Sequence, residues 1–406
     1  MSANHDTHAA ATPSVHELAV LKSGSAMKIA AALGLLGMIA TGAGIASAPH
    51  ETMISYLWAF AFWVGISLGG LFLVMIFNAA GARWTIVLRR AMETMAAPLP
   101  LFALLFIPIL VNAKQLYSWM TPSSLSPELT KLMPAKQFWL NTNGFTIRAV
   151  VYFIMFIAVQ QLLYSWSLKQ DSEGSAALTR KQRSFSAGIL PFMAIAFSVA
   201  AVDWLMTLEP GFSSTIFGVY YFAGSFLGAV SFLALASALA RGTSGAHAAL
   251  MQKDHWHNLG KLMLAFTAFW AYIAFSQFLL IWIANLPDEI PWFISRTTGP
   301  WKPIFWMLVV GHFFIPFFTL LSRDLKMVPG KLALVAAWIL VSGMLDTYWL
   351  IVPAFHDAPS FHWTMITAFL GIGGLAISLA LFRASGRYGV PVGDPYLDDS
   401  LRYSQP

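Results

Sequence analysis

One physical requirement recurs ten times along this chain: an uninterrupted apolar run long enough to cross a hydrocarbon layer. The runs cover 27–47, 55–79, 96–113, 146–168, 186–207, 214–240, 260–285, 303–322, 331–353 and 361–384. Crossing ~30 Å takes about 20 helical residues at ~1.5 Å each. Lipid offers no partner to a backbone amide, so segments of this kind fold as α-helices. The expected fold is all-α and integral to the membrane, with ten transmembrane helices. Composition leaves no room for a soluble reading, because 58% of the 406 residues are hydrophobic and only 10% are charged. The first run is long for the apolar part of a cleavable signal and its leading tail is scarcely basic, so it is read as a span.

The basic residues are unevenly shared between alternate connections. Lys22, Lys28, Arg83, Arg89, Arg90, Lys169, Arg180, Lys181, Arg183, Arg241, Lys253, Lys261, Arg323, Lys326, Lys331, Arg383, Arg387 and Arg402 fall on one side. Lys114, Lys131, Lys136, Arg148, Arg296 and Lys302 fall on the other. The excess marks the cytoplasmic face and puts both termini there. The net charge of +6 is then a mark of topology, and nucleic acid is not an expected partner. Residues 1–26, with His5, His8 and His16, read as a polar cytoplasmic tail, and 385–406 as a second one.

The most informative stretch runs from Ala200 to Gly224. Asp203 lies near the outer end of the fifth run; Glu209 and Pro210 stop that helix, and Ser213, Ser214 and Thr215 can cap the next. The result is helix, acidic turn, helix. On the same outer side, residues 114–145 form a long connection rich in Pro, Met and aromatics, suited to a partner protein or the membrane surface.

An internal repeat is visible. Trp63-Val-Gly65-Ile-Ser-Leu-Gly69 in the second run matches Phe222-Ala-Gly224-Ser-Phe-Leu-Gly228 in the sixth, and Asp203 and Asp346 each precede a proline, Pro210 and Pro353, by seven residues. Helices two to five (about 55–207) and six to nine (about 214–353) are therefore expected to form two four-helix bundles related by an axis along the membrane normal. The first and last helices are expected at the periphery of a membrane domain spanning 27–384. The glycines are read as packing devices.

A charge at mid-membrane costs about 2.5–3.5 kcal/mol on insertion scales, so ionisable groups inside spans are candidates for function. His312 falls near the middle of the eighth run and can relay a proton or bond a carbonyl. Asp346 falls in the outer half of the ninth, at a depth like that of Asp203. Asp203, Glu209, Asp346, His312 and Gln277 form the candidate site, with Gln160 and Gln161 as lesser members. The structural alternative makes each Asp a hydrogen-bond acceptor for Trp, Tyr or backbone groups.

Several chemistries are excluded. With no Cys in the chain, it has no thiolate metal site and no cysteine-held iron–sulfur cluster. A bis-histidine haem needs two deep histidines, and His312 is the one at depth; His255 and His257 read as cytoplasmic-loop residues, His356 and His362 as outer ones. The Gly371-Ile-Gly373-Gly374 run follows no strand and is not a dinucleotide loop.

The segments Asp203-Trp-Leu-Met-Thr-Leu-Glu209-Pro-Gly-Phe-Ser-Ser-Thr-Ile-Phe-Gly-Val-Tyr, His257-Asn-Leu-Gly-Lys-Leu through Phe269-Trp-Ala-Tyr-Ile-Ala-Phe-Ser-Gln277, and Gly311-His312-Phe through Pro316-Phe-Phe-Thr-Leu-Leu-Ser-Arg323 resemble the smaller NrfD/PsrC-type membrane subunit of alternative complex III, a bacterial quinol:cytochrome c oxidoreductase. The likeness extends over most of residues 55–355. It implies a place in the bacterial inner membrane beside a larger NrfD-like sister subunit, an iron–sulfur subunit and multihaem c-type cytochrome subunits. It also implies quinone or quinol as the redox partner, menaquinone or ubiquinone, and a part in quinol oxidation or proton translocation for Asp203, Glu209 and His312. A secondary transporter, or a structural scaffold for the sister subunit, is the competing reading.

Overall fold

The computed structural model describes residues 20–405 apart from 122 and 124; His5, His8 and His16 lie outside the described residues. Among the described residues ten helices are long and apolar enough to cross a membrane: α1 (Gly24–Ser47), α2 (Pro49–Ala80), α3 (Arg83–Val111), α4 (Thr142–Glu173), α5 (Ala176–Leu208), α6 (Phe217–Ala240), α7 (Lys253–Ala284), α8 (Gly299–Leu321), α9 (Pro329–Ala354) and α10 (Thr364–Ala384). The described residues hold no strand, and their one β-bridge joins Val20 to Tyr388. This is the all-α membrane fold expected.

Several helices outrun the apolar runs that announced them. Polar turns at their ends still gain backbone hydrogen bonds, so α4 continues to Glu173, α5 starts at Ala176 and α7 at Lys253. His255 and His257 are accordingly helical and buried, where loop residues were expected; His255 Nδ1 accepts from the Gln252 amide at the start of α7. The largest difference is in α3, whose helix begins before the expected 96. Arg89, Arg90 and Glu93 sit in it and are buried. Pro98 and Pro108 then break this span into shorter helical pieces.

Two rings of four helices result. α2 packs on α3 and α5, and α4 closes the ring against both; α6 packs on α7 and α9, and α8 closes the second ring. α2 and α6 also pack on each other, which makes them the centre of the molecule and explains why α2 is apolar all round. A Cβ at Gly69 would stand 2.5 Å from that of Ala229, and one at Gly65 would stand 2.6 Å from Ser225 Oγ. The glycine pair of α2 is thus what lets the bundles approach. Its counterpart in α6 is divided, since Gly228 faces Ile66 of α2 while Gly224 faces Asp346.

α1 and α10 lie outside both rings, pairing with each other and, through α10, with α2. Added Cβ atoms would come within 2.5 Å of Gly371 N from Gly37, and within 2.6 Å of Gly34 N from Gly374. Glycine is required there because backbone meets backbone. This is the structural use of the 371–374 run.

The segment after α10 is not a free tail. Its described part folds back across the side of the basic connections: Asp394 accepts from Arg89, Asp399 from Arg83, and Gln405 bonds Asn258 and Asp254 of α7. Carboxylates close in sequence here satisfy arginines far away in the chain, a pairing composition cannot show.

Candidate functional sites in the two bundles

On the side opposite the basic connections, the first bundle holds Asp203. The helix of α5 ends just after it, and four hydrogen bonds converge on its carboxylate. Arg148 of α4 donates Nε to Oδ2 at 2.7 Å and Nη2 to Oδ1 at 3.0 Å; Tyr152 OH reaches Oδ2 at 2.8 Å, and Trp139 Nε1 reaches Oδ1 at 2.8 Å. The guanidinium also lies 4.2 Å over the Trp139 ring. Every acceptor direction is filled and the charge is matched by a bidentate cation, the arrangement that holds a helix end and a connection in register. Lys136, the last residue of the short helix Pro127–Lys136, extends the clasp to the Pro210 carbonyl at 2.7 Å. Burial pulls the Lys136 ammonium below its usual range, against the opposing pull of Asp288. So the 114–145 connection caps the first bundle, leaving Phe138 outward and 90% exposed.

Glu209 joins that cap to the second bundle. Its carboxylate accepts from Arg296 Nη2 at 2.5 Å, and Arg296, on the short helix Ile290–Thr297, also donates to the Leu350 carbonyl of α9. The guanidinium lies 4.0 Å over Trp292. Burial holds this arginine below the usual guanidinium range while Glu209 opposes the shift. The sequence places Arg296 among the charges of the less basic connections and gives it no partner; an arginine following Trp292 and Phe293 is the available signal.

The second bundle holds a different kind of carboxyl. Asp346 of α9 is 5% exposed, and its donors are neutral: Tyr220 OH of α6 at 2.5 Å and Trp270 Nε1 of α7 at 3.2 Å. The bare α-carbon of Gly224 makes the room, since a Cβ there would stand 3.3 Å from Oδ2. His312 of α8 stacks on the other face of the arrangement, its ring 4.1 Å from that of Trp270 and tilted by 16°. It is buried, and neither ring nitrogen has a hydrogen-bond partner. The helix carrying it is π-wound from Leu308 to Phe314, a local widening frequent at functional positions. His312 and Asp346 both border a cavity of about 20 Å³, together with Thr347 and Ser225. That volume admits one water.

The five expected site residues therefore divide. Asp346 and His312 come together; Asp203 is enclosed by donors of the first bundle and does not lead to His312; Glu209 forms the inter-bundle clasp. Gln277 of α7 is buried with its Oε1 unpartnered, at the edge of an apolar cleft of about 490 Å³ walled by Trp270, Phe278, Phe305 and Phe313 and reaching Tyr220. Gln161 instead accepts from Arg383 of α10, and Gln160 lies in the first bundle. The repeat aligned Asp203 with Asp346, yet their partners come from non-equivalent helices.

These features define a multi-pass all-α membrane protein built of two four-helix bundles, with a saturated carboxylate clasp in one and a carboxyl–histidine centre in the other. No family model matches the chain, and no curated protein matches it.

Proposed function

We propose that this chain is a non-haem integral subunit of a respiratory quinol-oxidising complex of the alternative complex III type, and that its second bundle handles protons. The observation that carries the reading is the Asp346–His312 centre. A buried carboxyl with only neutral donors and a histidine with both nitrogens free, lining one small cavity, are groups suited to exchanging protons, whereas a structural carboxylate resembles Asp203. The 20 Å³ cavity is too small for an organic substrate, which weighs against a transporter whose substrate site lies between the bundles.

A quinol fits the residues beside this centre. The 490 Å³ cleft would take a flat ring and the start of an apolar tail, with Gln277 Oε1 and Tyr220 as polar ends and Trp270 and Phe313 as stacking surfaces. Quinol supplies reducing equivalents and two protons; Tyr220 and Trp270 hold Asp346, and Asp346 offers an acceptor for a proton. A Cys-free chain leaves the clusters and c-type haems to the iron–sulfur and cytochrome subunits.

The test is made on the assembly purified through a tag on this chain. It should carry c-type haem and quinol:cytochrome c activity, and Asp346→Asn and His312→Gln should each lower turnover or proton release at least several-fold with assembly intact. Full activity and proton yield in both variants would overturn the proton role; absence of haem-bearing partners would overturn the complex. Orientation in a bacterial inner membrane is tested by single cysteines at Ser172 and Ser385, labelled from the cytoplasm, and at Ser123, labelled from outside.

A further inference from the structure

A crevice of about 70 Å³ lies on the side of the basic connections, where the ends of α2, α3 and α5 meet the C-terminal segment. Helical spacing supplies one wall: Gln182 and Arg183 follow Thr179 by three and four residues and so share one face of α5. Asn78 comes from the last turns of α2, Arg83 and Arg89 from α3, and Tyr396 from the returning segment, with the Arg83 guanidinium 4.5 Å over its ring.

Three arginines border this crevice and, among the described residues, no carboxylate does. Asp394 and Asp399 accept from Arg89 and Arg83 without bordering it. Glu93, which also acts on Arg89, and Asp171 are held by Arg90. Arg183 has neither an ion pair nor a hydrogen bond among the described residues. Its guanidinium lies against Gly81, where a Cβ would stand 2.7 Å from Cζ; that residue is also left-handed, at φ 63°, so glycine is required twice over. Arg89 is 7% exposed, and its charge is largely withdrawn from water.

Neutral groups complete the lining. The Thr179 hydroxyl accepts from Gln170 and keeps its own proton to donate, and Asn78 has only a long bond to Ser186 at 3.5 Å. Gln182 is 2% exposed and donates to Gln170, while its Oε1 has no partner. A buried acceptor in that state calls for a donor. At ~10–15 Å³ per water the space takes roughly five water-sized groups, the four oxygens of a phosphate and one neighbour. Guanidinium forks match phosphate oxygens, whereas a cationic ligand would meet like charges. The crevice also sits at the ends of three spans, with Phe77 as an apolar wall, at the level where anionic lipid headgroups gather on basic surfaces.

We propose that this crevice binds the phosphate of an anionic phospholipid whose headgroup carries a free hydroxyl, as a glycerol headgroup does. Arg183, Arg89 and Thr179 donate to the phosphate, and the headgroup hydroxyl donates to Gln182 Oε1. The inference stands whether or not the chain serves a quinol-oxidising complex, and it uses no residue of the Asp346–His312 centre.

Arg183 is the residue to change, because it makes no ion pair or hydrogen bond whose loss would unfold the chain. The protein is purified through a tag on this chain with the subunits that accompany it, delipidated in detergent and titrated with phosphatidylglycerol, bound lipid being counted by native mass spectrometry. The unchanged protein should hold one phosphatidylglycerol that Arg183→Ala binds at least ten times more weakly; equal binding would overturn the proposal outright. Arg180→Ala, on the same helix but not bordering the crevice, should bind like the unchanged protein, and an equal loss there would replace the site by diffuse attraction to a basic surface. Phosphatidylmethanol, of the same charge but without a hydroxyl, should bind several-fold more weakly than phosphatidylglycerol; equal affinity would overturn the Gln182 contact. Inorganic phosphate should leave the lipid in place, and its displacement at matched concentration would make this a site for the free anion. Failure here leaves the second-bundle reading intact, because that rests on Asp346→Asn and His312→Gln.

Discussion

Arg89 of α3 and Asp394 of the C-terminal segment form an ion pair of 2.6 Å, buried on both sides, although they lie 305 positions apart. The pair fastens the end of the chain to the first bundle. Removing one partner of such a pair strands a buried charge, at a typical cost of about 3–5 kcal/mol. Asp394→Ala should therefore lower the unfolding midpoint of the detergent-solubilised protein markedly. Asp399→Ala breaks only the exposed pair with Arg83, worth about 0–1 kcal/mol, and should leave the midpoint nearly unchanged. Equal effects of the two would show that the segment is held by something other than this pair.

The Asp203 clasp makes a coupling prediction. Asp203→Leu and Arg148→Leu should each destabilise by several kcal/mol, since each leaves its partner charge without a counter-ion. The double variant should recover a large part of the loss, and the coupling energy from the cycle should lie in the ~0.5–3 kcal/mol range of contacting residues. Purely additive losses would mean that Trp139 and Tyr152, not the ion pair, hold the carboxylate.

Gly371→Ala and Gly37→Ala should open the α1–α10 seam, because each new Cβ meets backbone atoms of the facing helix at under 3 Å. Faster proteolysis or thiol labelling along α1 would report the opening. Gly42→Ala, on the same helix but with nothing within 4 Å, should gain slightly in stability as a helix-favouring change. A seam tolerant of Gly37→Ala would contradict the close approach.

His247, between α6 and α7, bonds Ser237 Oγ at 2.8 Å, and burial pushes its imidazole down to about 4. Above about pH 6.5 it is neutral folded and unfolded, so it has no effect on the pH dependence there. Between about 6.5 and 4 the unfolded chain takes up a proton that the folded chain refuses, so stability falls as pH falls through that window. His247→Gln should flatten this part of the stability profile, measured as unfolding midpoints at pH 7 and pH 5. An unchanged slope would assign the acid sensitivity to other groups.

The ten spans were legible because membrane insertion is decided by local composition, and the two rings followed from the repeat. Depth was legible too, which is why Asp346 and His312 stood out as buried ionisable groups. What stayed hidden depends on partners distant in sequence. Arg89 and Arg90 read as loop charges because their counter-ions Asp394 and Asp171 lie far along the chain. Glu93 escaped notice because the apolar run was started at 96, although its spacing of three from Arg90 was a helical signal. Asp203 and Asp346 looked alike because sequence gives the depth of a carboxyl but not the identity of its donors, a guanidinium for one and a phenol for the other.

The glycine seam between α1 and α10 also sets a schedule. A chain enters the membrane from its N-terminus, and some 300 residues separate the two helices. At ~5–20 residues per second of synthesis, the small-residue stripe of α1 faces lipid for roughly 15–60 seconds before its mate exists. The α1–α10 seam thus closes only once α10 has been made. A polypeptide interrupted anywhere before α10 carries that stripe of α1 uncovered, where membrane proteases and chaperones can distinguish an interrupted copy from one that includes α10.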